Sequence, residues 1–249
     1  MVDALSGDLW VIALIAFVFA GTIKGLVGIG MPTAAISVLA QFADPRLAII
    51  LVMAPGLVTN SWQLWRSGKA LEALKKFAPF TIVMMLGIAF FAQFAAGLPL
   101  NVLLVGIGIV IVLFVISSLI TPPQIPDKYD LATQLSIGCV SGVLGGLSAI
   151  WSPAIVMFLL ARNVARDMYM AATGMLVLLG SFSLIFGYWR AGALSGELVG
   201  QSAVMIVPAL IGYSVGEWLR NRLDSKQFKN TVLFVFFLMG LNLLRKGLF

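Results

Sequence analysis

The chain has 249 residues, of which 61% are hydrophobic and only 10% are charged. Soluble domains are about one-quarter charged, so this composition excludes a soluble globular protein and predicts a surface that faces lipid. The single cysteine, Cys139, excludes an intrachain disulfide and a cysteine metal cluster. The absence of histidine removes the commonest metal ligand and the commonest general base. We therefore expect neither an enzyme nor a protein that needs a cofactor.

The net charge of +6 resembles a nucleic-acid signal. However, the lysines and arginines lie in short segments between apolar stretches, where positive charge sets the orientation of membrane helices. We therefore expect membrane lipid around the chain and no nucleic-acid partner. A homo-oligomer is left open.

Six uninterrupted apolar stretches are long enough for the ~20 residues that a membrane-spanning helix needs. They predict transmembrane helices at 47–66, 77–97, 99–120, 167–190, 198–220 and 227–246.

Two further stretches, 9–43 and 131–161, are interrupted by glycine and proline. The interrupting residues are Gly25, Gly28, Gly30 and Pro32 in the first stretch and Gly142, Gly145, Gly146 and Pro153 in the second. Each stretch is too long for one span and too short for two full ones. Each is predicted to be a hairpin of two short helices with a glycine-rich turn, covered by protein or by a water-filled cavity.

Similar motifs recur in the two halves of the chain. Gly25-Leu26-Val27-Gly28 resembles Gly142-Val143-Leu144-Gly145, and Pro32 matches Pro153 if the second half carries a four-residue insertion. Trp65-Arg66-Ser67-Gly68 likewise matches Trp189-Arg190-Ala191-Gly192. The predicted fold is an all-α integral membrane protein of two repeats, 1–120 and 131–249, joined by a linker at 121–130. Each repeat contains one hairpin and three transmembrane helices.

Loop charge predicts the orientation, because cytoplasmic loops are rich in lysine and arginine. With the loop that follows Trp65 in the cytoplasm, eleven basic residues fall inside: Arg66, Lys69, Lys75, Lys76, Lys128, Arg162, Arg166, Arg220, Arg222, Lys226 and Lys229. Four fall outside: Arg46, Arg190, Arg245 and Lys246. We expect a multi-pass protein of the bacterial inner membrane with both termini periplasmic. The two repeats are then inverted, which is typical of transporters with a site between the repeats.

An anion inside a membrane needs donors that replace its hydration shell. Helix N-termini supply free N–H groups and a partial positive charge, and proline is tolerated at the first helical position. Pro32 and Pro153 are therefore predicted to start the second arm of each hairpin, with the turns before them aimed at one anion in the protein centre. The candidate substrate-binding residues are Lys24, Gly28, Gly30, Thr33, Asn60, Gln63, Gly145, Ser148, Trp151, Ser152 and Thr173.

Several of these residues have a second interpretation. Lys24 either attracts the anion or extends to the membrane interface. Asn60 and Gln63, on one helix face, either contact the anion or bond a neighbouring helix, and Trp151 either lines the site or anchors the interface. Glu217 is interpreted as the local partner of an arginine close to it in the sequence.

The run Lys24-Gly25-Leu26-Val27-Gly28-Ile29-Gly30-Met31-Pro32 resembles the first-repeat motif of the sulfite exporter TauE/SafE family. Ser141-Gly142-Val143-Leu144-Gly145-Gly146, with Ser152-Pro153, resembles the second. The resemblance covers nearly the whole chain and implies export of sulfite, sulfoacetate and related organosulfur anions. Two departures stand out: Met31 replaces the third glycine of many members, and the second turn carries the four-residue insertion within residues 147–151.

The alternatives to this function are a membrane scaffold or subunit without transport activity, and a transporter of another small anion such as a carboxylate. A polar cavity between the two turns would favour transport, whereas dry packing there would favour the scaffold.

Overall fold

The structure, a computed structural model, describes residues 4–120, 122–220, 222 and 225–249, with only the backbone described for residues 127 and 225–229. Linker residue 121 and the side chains of Lys226 and Lys229 therefore lie outside the described residues.

The described part of the chain is all-helical, as predicted. Its helices are α1 (Leu9–Val27), α2 (Met31–Leu39), α3 (Pro45–Leu51), α4 (Met53–Ser67), α5 (Ala70–Lys76), α6 (Ala78–Ala95), α7 (Leu100–Leu119), α8 (Asp130–Ser148), α9 (Ser152–Ala161), α10 (Arg166–Arg190), α11 (Gly196–Val204), α12 (Ile206–Arg220) and α13 (Ser225–Leu248).

Eight helical segments in the described ranges are long and apolar enough to cross a membrane. Six of them coincide with the predicted spans: Pro45–Ser67, Ala78–Ala95, Leu100–Leu119, Arg166–Arg190, Gly196–Arg220 and Asn230–Leu248. Two of these six contain a break, where α3 passes into α4 and α11 into α12. The other two candidate spans are Leu9–Val27 and Asp130–Ser148.

The hairpins differ from the prediction, because the first arm of each is a full-length helix. Helices α1 and α8 have 19 residues each, whereas α2 and α9 have 9 and 10. Gly28 and Gly30 lie in the first turn, as expected, whereas Gly25, Gly142, Gly145 and Gly146 lie inside the long arms, where they allow close packing. A Cβ atom added at Gly25 would lie 2.2 Å from the carbonyl oxygen of Tyr213, and one at Gly142 would lie 2.9 Å from the Cα of Gly87.

The predicted insertion at the second turn is also wrong. Both turns contain three residues, 28–30 and 149–151. In the hairpins and at the start of the helix that follows, most helix bounds of the two halves are separated by 121 residues, as in Leu9 and Asp130, Val27 and Ser148, and Pro45 and Arg166. Further along the chain the separation changes, to 118 for Ala78 and Gly196 and to 125 for Leu100 and Ser225. In the 121-residue register Gly25 matches Gly146 rather than Gly142, since the similar glycine motifs are displaced by one helical turn.

Each long arm ends in a left-handed residue that reverses the chain direction. Gly28 ends α1 with φ 87°, and Ala149 ends α8 with φ 57°. Pro32 and Pro153 are the second residues of α2 and α9, which confirms that proline starts both short arms.

The halves start at opposite ends of the bundle. We call these the Arg46 end, where α3 begins, and the Arg66 end, where α4 finishes. Helix α1 begins at the Arg46 end, where the Leu5 amide donates to Gln201 in α11, and it runs in the same direction as α11 and α12. Helix α8 begins at the Arg66 end, where the side chain of Gln134 forms hydrogen bonds with the backbone at the start of α6. It packs against α6 and runs in the same direction. Helices α4 and α10 cross antiparallel between these pairs.

Candidate functional site

A buried lysine lies near the end of α1. Lys24 is 2% exposed, and its ammonium donates to Oδ1 of Asn60 in α4. The amide nitrogen of Asn60 donates to the carbonyl oxygen of Gly56 at 2.7 Å, which fixes the orientation of the amide. Lys24 therefore does not extend to the membrane interface, because its charge ends inside the helix bundle.

One helical turn further along α4, Gln63 joins α4 to α10. Its Nε2 donates to the hydroxyl of Thr173 and to the carbonyl oxygen of Met170, both at 3.0 Å. The Met170 side chain covers the first turn, since a Cβ atom on Gly28 would lie 2.8 Å from its sulfur. The structure thus groups four more predicted residues with Lys24: Gly28, Asn60, Gln63 and Thr173. We call these five residues the Lys24 cluster.

Helix α2 begins beside this cluster. The hydroxyl of Thr59 in α4 lies 3.9 Å from the sulfur of Met31, the first residue of α2. Thr33, in the first turn of α2, is fully buried, and its hydroxyl has no hydrogen-bond partner among the described residues. Gly30 precedes the helix with φ 102°. A buried donor near a helix N-terminus is a suitable contact for an anion.

The second turn is organised around Trp151. Its side chain is 2% exposed, so it is not an interface anchor, and its indole nitrogen has no hydrogen-bond partner among the described residues. The ring lies against Gly145 and Gly180, where added Cβ atoms would come within 2.9 and 3.0 Å of it. The hydroxyl of Ser141 donates to the carbonyl oxygen of Trp151 at 3.3 Å.

The two predicted serines of this turn have different surroundings. Ser148 donates to the carbonyl oxygen of Leu144 and accepts from the amide of Ile150, so it stabilises the end of α8. Ser152 is buried and starts α9. With Gly145 and Trp151, these residues form what we call the Trp151 cluster.

Helix α10 connects the two clusters. A Cβ atom on Gly56, whose carbonyl oxygen binds Asn60, would lie 3.6 Å from the hydroxyl oxygen of Ser181. The adjacent residue, Gly180, packs against the Trp151 ring. The clusters are therefore neighbours across α10.

The halves carry different chemistry at equivalent positions. In the 121-residue register, Lys24 corresponds to Gly145, and Gly30 corresponds to Trp151. The first half thus has a lysine near a turn that ends in glycine. The second half has a glycine at the lysine position, and the ring of Trp151 packs against it.

A cavity of about 340 Å³ opens at the Arg66 end and reaches the buried Gln63. Three arginines and two acidic residues line it: Arg66, Arg166, Arg220, Asp167 and Glu217. Arg66 bonds both carboxylate oxygens of Glu217 at 2.8 Å, so the partner of Glu217 is an arginine of the other half and not its neighbour Arg220. The sequence analysis missed this positively charged cavity, although the basic residues at the ends of α4, α10 and α12 were a signal for it.

A second cavity, of about 460 Å³, opens at the Arg46 end. It is lined by Arg46, Gln93 and small residues that include Gly97 and Gly192. Arg46 forms an ion pair with Asp44 at 2.9 Å and donates to the carbonyl oxygen of Leu98. Both cavities lie at the ends of the bundle. Lys24 lines neither of them, although Gln63 of its cluster lines the first.

Within the described ranges, eight candidate spans, two hairpins and a buried cation between end cavities define a multi-pass membrane protein with the features of a transporter. The family comparison gives the same class: the chain matches the sulfite exporter TauE/SafE family over residues 13–243 and belongs to that family. This family consists of membrane transporters and not of enzymes. No curated protein and no solved structure matched the chain.

Proposed function

We propose that this chain exports small organosulfur anions, such as sulfite or sulfoacetate, across the bacterial inner membrane. The anion binds between the two hairpin turns, near the bilayer midplane, in contact with the Lys24 and Trp151 clusters. The proposal follows the transporter family to which the chain belongs and the position of one charged residue.

The observation that carries the proposal is the buried ammonium of Lys24. A charge inside a membrane protein is costly unless it is compensated, and such charges mark substrate pathways. Asn60 offers Lys24 a neutral amide oxygen, not a carboxylate. An anion beside Lys24 would supply the missing negative charge.

Two buried donors support the position of the anion. The Thr33 hydroxyl, in the first turn of α2, and the Trp151 indole N–H, directly before α9, both have no partner among the described residues. Buried donors are normally bonded. Sulfite and sulfonate oxygens are acceptors for such groups.

We also propose that residues 1–120 and 131–249 are inverted repeats, with 121–130 as their linker. Two observations support this arrangement: the 121-residue register of the hairpins and of the helix start that follows, and the start of α1 and α8 at opposite ends of the bundle. By loop charge, the Arg66 end is cytoplasmic and the Arg46 end is periplasmic. The cavity of three arginines then faces the cytoplasm, where it would attract anions.

Counterflow in proteoliposomes tests the proposed function. Vesicles that contain the purified protein are loaded with one unlabelled anion, and uptake of the same anion in labelled form is measured for sulfite, sulfoacetate, thiosulfate and short carboxylates in turn. We expect transient accumulation of sulfite and little of the carboxylates. Accumulation of none of these anions would contradict the anion transport, and accumulation of carboxylates alone would contradict the substrate class.

A further inference from the structure

The charge of the Lys24 cluster limits the charge of its ligand. Among the residues whose burial is described, Lys24 is the only buried side chain that carries a charge. The other members of its cluster are glycine, amides and a hydroxyl, so the cluster as a whole has a charge of +1 when Lys24 is protonated.

Acidic residues do not offset this charge in the described ranges. The described ion pairs lie towards the two ends of the bundle, where Asp44, Glu217, Asp167 and Asp130 bind Arg46, Arg66, Lys69 and Arg162, respectively. The ammonium of Lys24 takes part in none of them, and its described partner is an amide oxygen.

We infer that the Lys24 cluster selects anions with a single negative charge and discriminates against dianions of the same size. A monoanion and the ammonium form a neutral pair, which the low-dielectric interior favours. A dianion leaves one full negative charge without compensation, and such a charge is strongly destabilising when buried. The N-termini of α2 and α9 each contribute at most about half an elementary charge, and this effect falls off within the first helical turn, so neither helix supplies a full counter-charge for a second negative group.

The inference rests on the proposed function and sharpens its substrate class. Hydrogensulfite would be the transported form of sulfite, and sulfonates without a second acidic group would be preferred to sulfoacetate. Trp151, over the second turn, adds apolar surface that suits a short carbon chain better than a carboxylate.

Isethionate and sulfoacetate provide a matched pair of probes, because they are similar in size and differ by one charge. Counterflow of each is measured in proteoliposomes with the membrane potential held at zero, so that the potential does not act on the extra charge. We expect initial rates for isethionate to be at least about tenfold higher than for sulfoacetate. The variant Lys24→Gln should lose isethionate counterflow, and Lys75→Gln, which removes an exposed cation from α5, should retain it.

A sulfite arm covers the case in which neither sulfonate is transported. Rates are compared between pH 6 and pH 8 at equal total sulfite, and we expect them to follow hydrogensulfite. Sulfoacetate rates equal to or above those of isethionate, or sulfite rates that follow the dianion, would overturn the selectivity and leave the proposed function intact. Absence of counterflow for every sulfur anion would overturn both.

Discussion

At the scale of single residues, Gly28 combines a special backbone conformation with close packing. Its φ of 87° disfavours any side chain, and a Cβ atom would lie 2.8 Å from the Met170 sulfur. Gly28→Ala should therefore destabilise the protein by about 1–2 kcal/mol. The thermal unfolding midpoint in detergent measures this effect. Gly106→Ala in α7 is the control, because a Cβ atom there has nothing within 4 Å, and it should leave the midpoint unchanged or raise it.

Trp151 allows packing to be separated from hydrogen bonding. Trp151→Phe keeps an aromatic ring against Gly145 and Gly180 but removes the buried N–H. If this donor binds the anion, sulfite affinity should fall roughly tenfold or more, the loss expected for a hydrogen bond to a charged group. Titration of sulfite-dependent thermal stabilisation measures the affinity. Trp62→Phe changes a tryptophan that is 45% exposed and should have no effect; an equal loss in both variants would contradict a specific role for Trp151.

The residues of the Lys24 cluster could be predicted because polar groups in an apolar sequence are conspicuous. Lys24, Asn60 and Gln63 stand out by type and spacing alone. Their partners could not be predicted, because Thr173 and Met170 lie more than 100 positions away and meet Gln63 only through the antiparallel crossing of α4 and α10. The same limit applies to Glu217, whose partner Arg66 lies in the other half.

At the scale of helices, glycine determines how closely α1 and α12 approach. A Cβ atom on Gly216 would lie 2.1 Å from the carbonyl oxygen of Thr22, so the helices must separate to accept it. Gly216→Ala should destabilise the protein by about 1–3 kcal/mol, measured again by the unfolding midpoint. Gly200→Ala in α11 has open space around the new methyl group and is the matched control; a similar loss in both would indicate that the tight crossing is not rigid.

The ion pair between Arg66 and Glu217 joins α4 to α12 across the cavity of the Arg66 end. Its side chains are 49% and 24% exposed, so solvent screens the attraction. A double-mutant cycle with Arg66→Gln and Glu217→Gln should give a coupling free energy of about 0.2–1 kcal/mol. A coupling of several kcal/mol, measured from unfolding in detergent, would show that the pair is more strongly shielded from water than its exposure indicates.

The hairpins show where helix prediction from this sequence fails. Glycine in an apolar stretch predicts either a turn or a close helix contact, and the two have the same local signature. Gly25 and Gly142 were interpreted as interruptions of the apolar stretches, but they lie inside α1 and α8, where α12 and α6 pack against them. The proline signals were reliable, since Pro32 and Pro153 restrict the backbone locally and need no partner to do so.

At the scale of the whole molecule, the inverted arrangement predicts which loops share a side of the membrane. With Cys139 replaced by serine, single cysteines at Lys75 and at Gly192 should be labelled from opposite sides by a reagent that does not cross the membrane. Cysteines at Gly7 and at Gly247 should behave like the one at Gly192, because both termini are proposed to be periplasmic. Labelling of the two termini from opposite sides would contradict an even number of spans.

The two halves differ in the side chains at equivalent positions of their hairpins, and this difference bears directly on the proposed transport site. A perfect repeat would place equivalent groups at both turns, whereas this chain has Lys24 in one half and Gly145 at the matching position of the other. The sequence motifs predicted two similar turns, and only the 121-residue register reveals that the cation and the tryptophan are at different positions of the repeat. The proposed site therefore offers a substrate two chemically distinct surfaces, one charged and one aromatic.

The central claim is that an anion crosses the membrane in contact with Lys24, and sulfite counterflow by Lys24→Gln tests it most directly. Glutamine removes the charge and retains a polar side chain, and Lys75→Gln controls for the loss of a cation outside the core. We predict that Lys24→Gln abolishes counterflow, whereas Lys75→Gln retains the activity of the unmodified protein, with both variants folded by thermal unfolding. Undiminished counterflow in folded Lys24→Gln would contradict the account.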